Sequence, residues 1–86
     1  MELWIRSQDK TDLFKVNRLK IREHSFENGL KEYYILNNNS ISDVVGIYST
    51  EERALEVLNK ISKLVENAMY HTQLNNEVLF YQMPEK

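Results

Sequence analysis

The sequence predicts an α+β fold of order ββββαβ, a mainly antiparallel five-stranded sheet with one long helix packed on one face. Three observations lead there. Apolar residues recur with a period of two through the first half, the period lengthens to that of a helix after Ser49, and an apolar run from Val78 to Met83 returns to strand character before Pro84. No repeat, low-complexity stretch or linker divides the 86 residues, so residues 1–86 are read as a single α+β domain.

Leu3, Ile5 and Ser7 alternate with Trp4, Arg6 and Gln8, which is the pleat of a first strand. The polar cluster Asp9-Lys10-Thr11-Asp12 turns the chain into a long second strand, from about Leu13 to His24. Phe14 and Val16 share one phase and Leu19 and Ile21 the other, so a bulge is expected near Asn17-Arg18 to re-aim the side chains. Asn28-Gly29 predicts a type I′ hairpin, since both residues tolerate positive φ. The third strand runs from Leu30 to about Asn37 around Tyr33-Tyr34-Ile35-Leu36. Asn37-Asn38-Asn39-Ser40 turns it into a fourth, Ile41 to Tyr48.

Ser49-Thr50-Glu51-Glu52 has the form of a capping box, with Ser49 and Glu52 bonding reciprocally to each other's amides. The Thr50–Tyr70 helix follows. Ala54, Leu58, Ile61, Val65 and Ala68 form its apolar stripe, flanked by Leu55, Val57, Leu64 and Met69. Arg53, Glu56, Lys60, Lys63 and Asn67 lie opposite, and Glu56 and Lys60 are an i, i+4 pair. His71 to Asn76 reads as a polar loop, and Val78-Leu79-Phe80-Tyr81-Gln82-Met83 as a last strand. If the meander alternates direction, that strand pairs antiparallel with the first and the order is 5-1-2-3-4. A place beside strand four or in a partner's sheet stays open.

The segments Leu3 to Lys10, Tyr33-Tyr34-Ile35-Leu36, Gly46 to Leu58 and Tyr81-Gln82-Met83-Pro84 together resemble small proteins of Gram-positive bacteria and their prophages and mobile elements. The resemblance implies a bacterial, prophage-like setting and carries no known activity onto any residue.

Composition excludes several chemistries. Without cysteine there are no disulfides, thiolate nucleophiles, zinc ribbons or iron–sulfur clusters. His24 and His71 have no second ligand at motif spacing, so no metal is expected. Gly29 and Gly46 are the only glycines, which leaves no phosphate-binding loop. The serines occupy no nucleophile elbow, and the carboxylate pairs Asp9/Asp12 and Glu51/Glu52 belong to a turn and a helix cap. The expectation is a protein that is not an enzyme and uses no cofactor. No window is apolar enough to span a membrane and the amino-terminal residues lack the apolar centre of a signal peptide, so a cytoplasmic location is expected.

Two surfaces remain. Folding at this length buries only about 60–65% of the chain's surface, and one helix covers one face of a sheet. Yet strand three is apolar on both faces, the last strand opposes Val78 and Phe80 to Leu79, Tyr81 and Met83, and Trp4 points away from Leu3 and Ile5. A second copy covering an aromatic sheet face is the expected remedy, with Trp4, Tyr34, Leu36, Phe80 and Tyr81 as interface candidates. Another protein is the alternative occupant of that face. The second surface is a basic stripe of Arg18, Lys20, Arg22 and His24, which with Arg6 and neighbouring aromatics would suit a nucleic-acid-binding accessory protein. A formal net charge of −2 weighs against that alternative.

Overall fold

A computed structural model describes residues 2–71 and 78–86. The elements are β1 (Glu2–Arg6), β2 (Leu13–Lys15), β3 (Leu19–Ser25), β4 (Lys31–Asn37), β5 (Val44–Tyr48), α1 (Glu51–His71) and β6 (Val78–Gln82). Apart from His71, the loop expected before β6 lies outside the described residues. The fold is α+β with one helix, as the change of period requires. Its strands form two three-stranded sheets, ordered β2-β1-β6 and β3-β4-β5, in place of the single five-stranded sheet.

The long second strand is where one sheet becomes two. Phe14, Val16, Leu19 and Ile21 all pack against the same core, and an unbroken pleat cannot turn Val16 and Leu19 to one face. The strand therefore breaks between Lys15 and Leu19, where a bulge was expected. Asn37, buried at the end of β4, spans the break. Its side-chain Oδ1 accepts from the Asn17 and Arg18 amides at 3.1 and 3.4 Å, and its Nδ2 donates to the Lys15 carbonyl at 2.9 Å.

β6 pairs with β1, but in parallel, with Glu2 to Arg6 opposite Val78 to Gln82. The expected antiparallel pairing assumed one flat sheet. Once the chain turns from one sheet into the other at residues 16–18, alternation in the second sheet no longer sets the direction of β6.

The hairpin between β3 and β4 also differs from expectation. Gly29 has φ +87° but Asn28 is not in the left-handed region, so the turn is not type I′. The Gly29 amide donates to the Phe26 carbonyl and the Phe26 amide to the Leu30 carbonyl, which is a type I turn closed by a glycine bulge. A second bulge interrupts the β4–β5 register, from Ile35↔Gly46 to Leu36↔Val44, and turns Val45 into the core.

The helix cap is one residue later than expected. Thr50 Oγ1 accepts from the Arg53 amide at 3.1 Å, so Thr50 and Arg53 form the capping pair rather than Ser49 and Glu52. Tyr48 is buried as the last residue of β5, which leaves Ser49 to make the turn. Glu51 and Glu52 occupy the first helical turn, where the dipole favours carboxylates. Ala54, Val57 and Ile61 are the helix's buried stripe, and they meet Ile5, Ile35, Val45, Tyr48 and Met83 in one core. Both sheets contribute to that core.

Candidate interaction surface

The outer surface of the first sheet follows from its register. Trp4 lies between Lys15 of β2 and Phe80 of β6, and Arg6 between Leu13 and Gln82, so these side chains share the face opposite Ile5. Glu2 and Val78 continue the face at the other end. Phe80 is 67% exposed, Leu13 50% and Val78 44%. A shallow depression of about 420 Å³ lies beside them, lined by Arg6, Leu13, Phe80, Tyr81 and Gln82. Trp4 is half-buried and its Nε1 donates to Glu2 Oε2 at 3.2 Å, while Glu2 also meets Lys15 Nζ at 3.3 Å. Those bonds, the one from Trp4 first, hold the Glu2 carboxyl below its ordinary pKa. The indole is thereby oriented by a charged partner on the face itself.

The other interface candidates go elsewhere. Tyr81 lies on the inner side of the first sheet, packed against the core, and burial raises its phenol pKa. Leu36 is 0% exposed and offers no surface to a partner. Tyr34 is half-buried on the second sheet, stacked under His24 with ring centroids 5.5 Å apart and planes at 15°. His24 in turn meets Phe26 edge-on at 4.6 Å. The sequence grouped these five residues because strand three and the last strand are each apolar on both sides. Only Trp4 and Phe80 stand together on an outer face.

The basic stripe is placed as its spacing implies. Lys20, Arg22 and His24 are exposed and alternate with half-buried Leu19 and Ile21, with Arg18 exposed just before β3. Arg22 lies opposite Tyr34 and Lys20 opposite Leu36. Arg6 and Trp4 belong to the other sheet, and the ring of Tyr34 already carries His24. The stripe therefore does not gather the aromatic faces that stacking of unpaired bases needs.

Residues absent from the expected set matter as much. Leu13 is on the outer phase because Phe14 is on the inner one, a signal present in the alternation. Gln8 gives no such signal. Its side chain reaches across to β5, where Oε1 accepts from the Ile47 amide at 2.5 Å and Nε2 donates to the Ile47 carbonyl at 2.9 Å. The same Nε2 lies 3.2 Å from the Pro84 carbonyl and 3.0 Å from that of Glu85. Tyr48 Oη also donates to Pro84 at 2.9 Å, and Arg53 Nε to the Lys86 carbonyl at 2.9 Å. Residues 83–86 are thus fastened across the gap between β1, β5 and the start of α1. Tyr48 is pushed up to about 12, first by burial and then by the neighbouring Tyr81, with Arg53 opposing.

A second depression, about 250 Å³, is lined by Ser7, Gln8, Asp9, Asp12 and residues 44–47 of β5. Its carboxylate Asp9 is already engaged by Ser7 Oγ at 2.7 Å, Thr11 Oγ1 at 2.7 Å and the Thr11 amide at 3.0 Å. These bonds, the Thr11 hydroxyl first, lower Asp9 from the ordinary 3.8 to about 2. The role of Asp9 is to close the β1–β2 turn. Among the described residues no three His, Asp or Glu side chains converge to hold a metal ion, and no helix is long and apolar enough to cross a membrane. The sequence matches no protein-family model, no curated protein and no solved structure.

Proposed function

We propose that this protein is a non-enzymatic interaction module of the cytoplasm that acts as a homodimer through the aromatic β2-β1-β6 sheet. The observation that carries the reading is the row Leu13, Trp4, Phe80 and Val78 on the face turned away from the core, with Phe80 67% exposed in register with Trp4. A rigid aromatic pair, one member carrying the Trp4 indole N–H, with a charged rim of Glu2, Arg6 and Lys15 has the composition of a protein interface. The resemblance to small proteins of Gram-positive bacteria and mobile elements supplies a setting for such a module.

Sedimentation or light scattering across the micromolar range tests it. The expected result is a mass that doubles with concentration, and Phe80→Glu lowers the association at least about tenfold by placing a charge at the contact between the two copies. Tyr34→Glu, on the second sheet, is expected to leave association unchanged. A monomeric mass throughout would remove the proposal.

A further inference from the structure

Resting on that reading, we infer that the two copies meet edge to edge, each adding its β6 to the other's in antiparallel fashion about Phe80. The argument begins with which backbone groups of β6 are free. The Met83 amide donates to the Arg6 carbonyl at 3.1 Å. Alternate residues of a strand point their amides and carbonyls the same way, so Leu79, Tyr81 and Met83 face β1. The backbone groups of Val78, Phe80 and Gln82 therefore point away from β1. On β1 the same alternation holds from the other side, since the Leu3 carbonyl accepts from Val16 and the Ser7 amide donates to Asp12, both toward β2.

The four sheet edges are treated differently. β2 is three residues long and runs on into the second sheet. β3 carries Lys20, Arg22, Glu23 and His24 along its length, the kind of charge that discourages strand addition. β5 is neutral, but Gln8 occupies both backbone groups of Ile47. β6, Val-Leu-Phe-Tyr-Gln, has no charge and no proline, and no described side chain bonds to its outer edge.

A second copy of this chain fits that edge better than an arbitrary peptide because the strand is self-complementary. A two-fold axis through Phe80 opposes Phe80 to Phe80 of the second copy and Val78 to Gln82, with no like charges facing each other. Phe80 opposes itself as a pair that exchanges both backbone bonds, and the flanking pairs do the same, for about six hydrogen bonds in all. On the outer face the two Phe80 rings become cross-strand neighbours, with each Trp4 one strand further in. Two three-stranded sheets become one, and the aromatic row runs across the junction. Since each protomer offers one such edge, the pairing closes as a dimer and does not propagate.

Amide hydrogen exchange, followed residue by residue above and below the concentration at which the mass doubles, reads this out. Leu79 and Tyr81 amides are expected to be protected at both concentrations, and Val78, Phe80 and Gln82 only in the dimer. Val78→Pro removes an outward amide that bonds to no described residue, a place where edge strands accept proline, and is expected to weaken association about tenfold or more with the monomer's melting temperature unchanged. A dimer whose Val78, Phe80 and Gln82 amides exchange as in the monomer overturns edge pairing while leaving the homodimer reading intact. Protection of those amides that does not vary with concentration also overturns it, because the edge is then covered within one chain. A protein that never dimerises overturns both readings.

Discussion

β5 and β6 are both five-residue edge strands without a charged side chain, and the molecule handles them in opposite ways. β5 is bulged at Val45 and its Ile47 is held by the amide of Gln8, so its edge is spent inside the chain. β6 is regular over its whole length and, among the described residues, its backbone pairs only with β1. The contrast teaches that neutrality alone does not mark an edge for assembly. What distinguishes β6 is that its outward backbone groups find no partner among the described residues.

The largest effects should come from the core residues behind these strands. Ile5, opposite Tyr81 through β1, supports β6, and Ile35, opposite Gly46, supports β5; both are fully buried. Ile5→Ala and Ile35→Ala are each expected to cost about 2–5 kcal/mol in urea unfolding. Because both side chains enter one core, either variant should lower a single cooperative transition. Two separate transitions would show that the sheets fold independently.

Next is the joint between the sheets. Asn37→Ala removes the acceptor for two amides and the donor to Lys15 in a buried position, with an expected cost of about 2–4 kcal/mol. Asn37→Asp should recover little of this, since a carboxylate cannot donate to the Lys15 carbonyl. If Asn37→Asp were as stable as the wild type, that donated bond would be irrelevant to the joint.

Gln8→Ala attacks the comparison directly. The substitution frees the Ile47 backbone and unfastens Pro84 and Glu85, at an expected cost of about 1–2 kcal/mol. It also gives each protomer a second neutral edge, so the expected mass distribution extends beyond the dimer. A variant that stays strictly dimeric would mean that the bulge at Val45, and not Gln8, protects β5.

The sequence made the order of elements legible because each rests on local signals: alternation, turn residues and the change of period at Ser49. It did not reveal the split into two sheets. The slip of phase between Val16 and Leu19 was visible, but a bulge within one sheet and a break between two produce the same slip. What decides between them is the amide of Asn37, some twenty residues away along the chain. Trp4 and Phe80 were readable as an outer pair from alternation on their own strands. Leu36 was misleading for the complementary reason, since alternation says which face a residue takes and not whether that face is already covered. Gln8 was unreadable because its partners, Ile47, Pro84 and Glu85, are set by tertiary closure.

The smallest expected effect concerns the turn that presents Gln8. Asp9 is fully exposed, and its folded pKa of about 2 lies below the ordinary 3.8, so the native state binds its proton less readily than the unfolded chain does. The stabilisation from its bonds to Ser7 and Thr11 is therefore complete above about pH 4 and is lost as pH falls toward 2. The Thr11 amide resonance should titrate in that window, and Asp9→Asn should abolish the titration while leaving the Ile47 amide bonded to Gln8. If instead the Ile47 resonance moves together with Thr11, closure of the β1–β2 turn and sealing of the β5 edge are one event, and acid alone would expose the second edge.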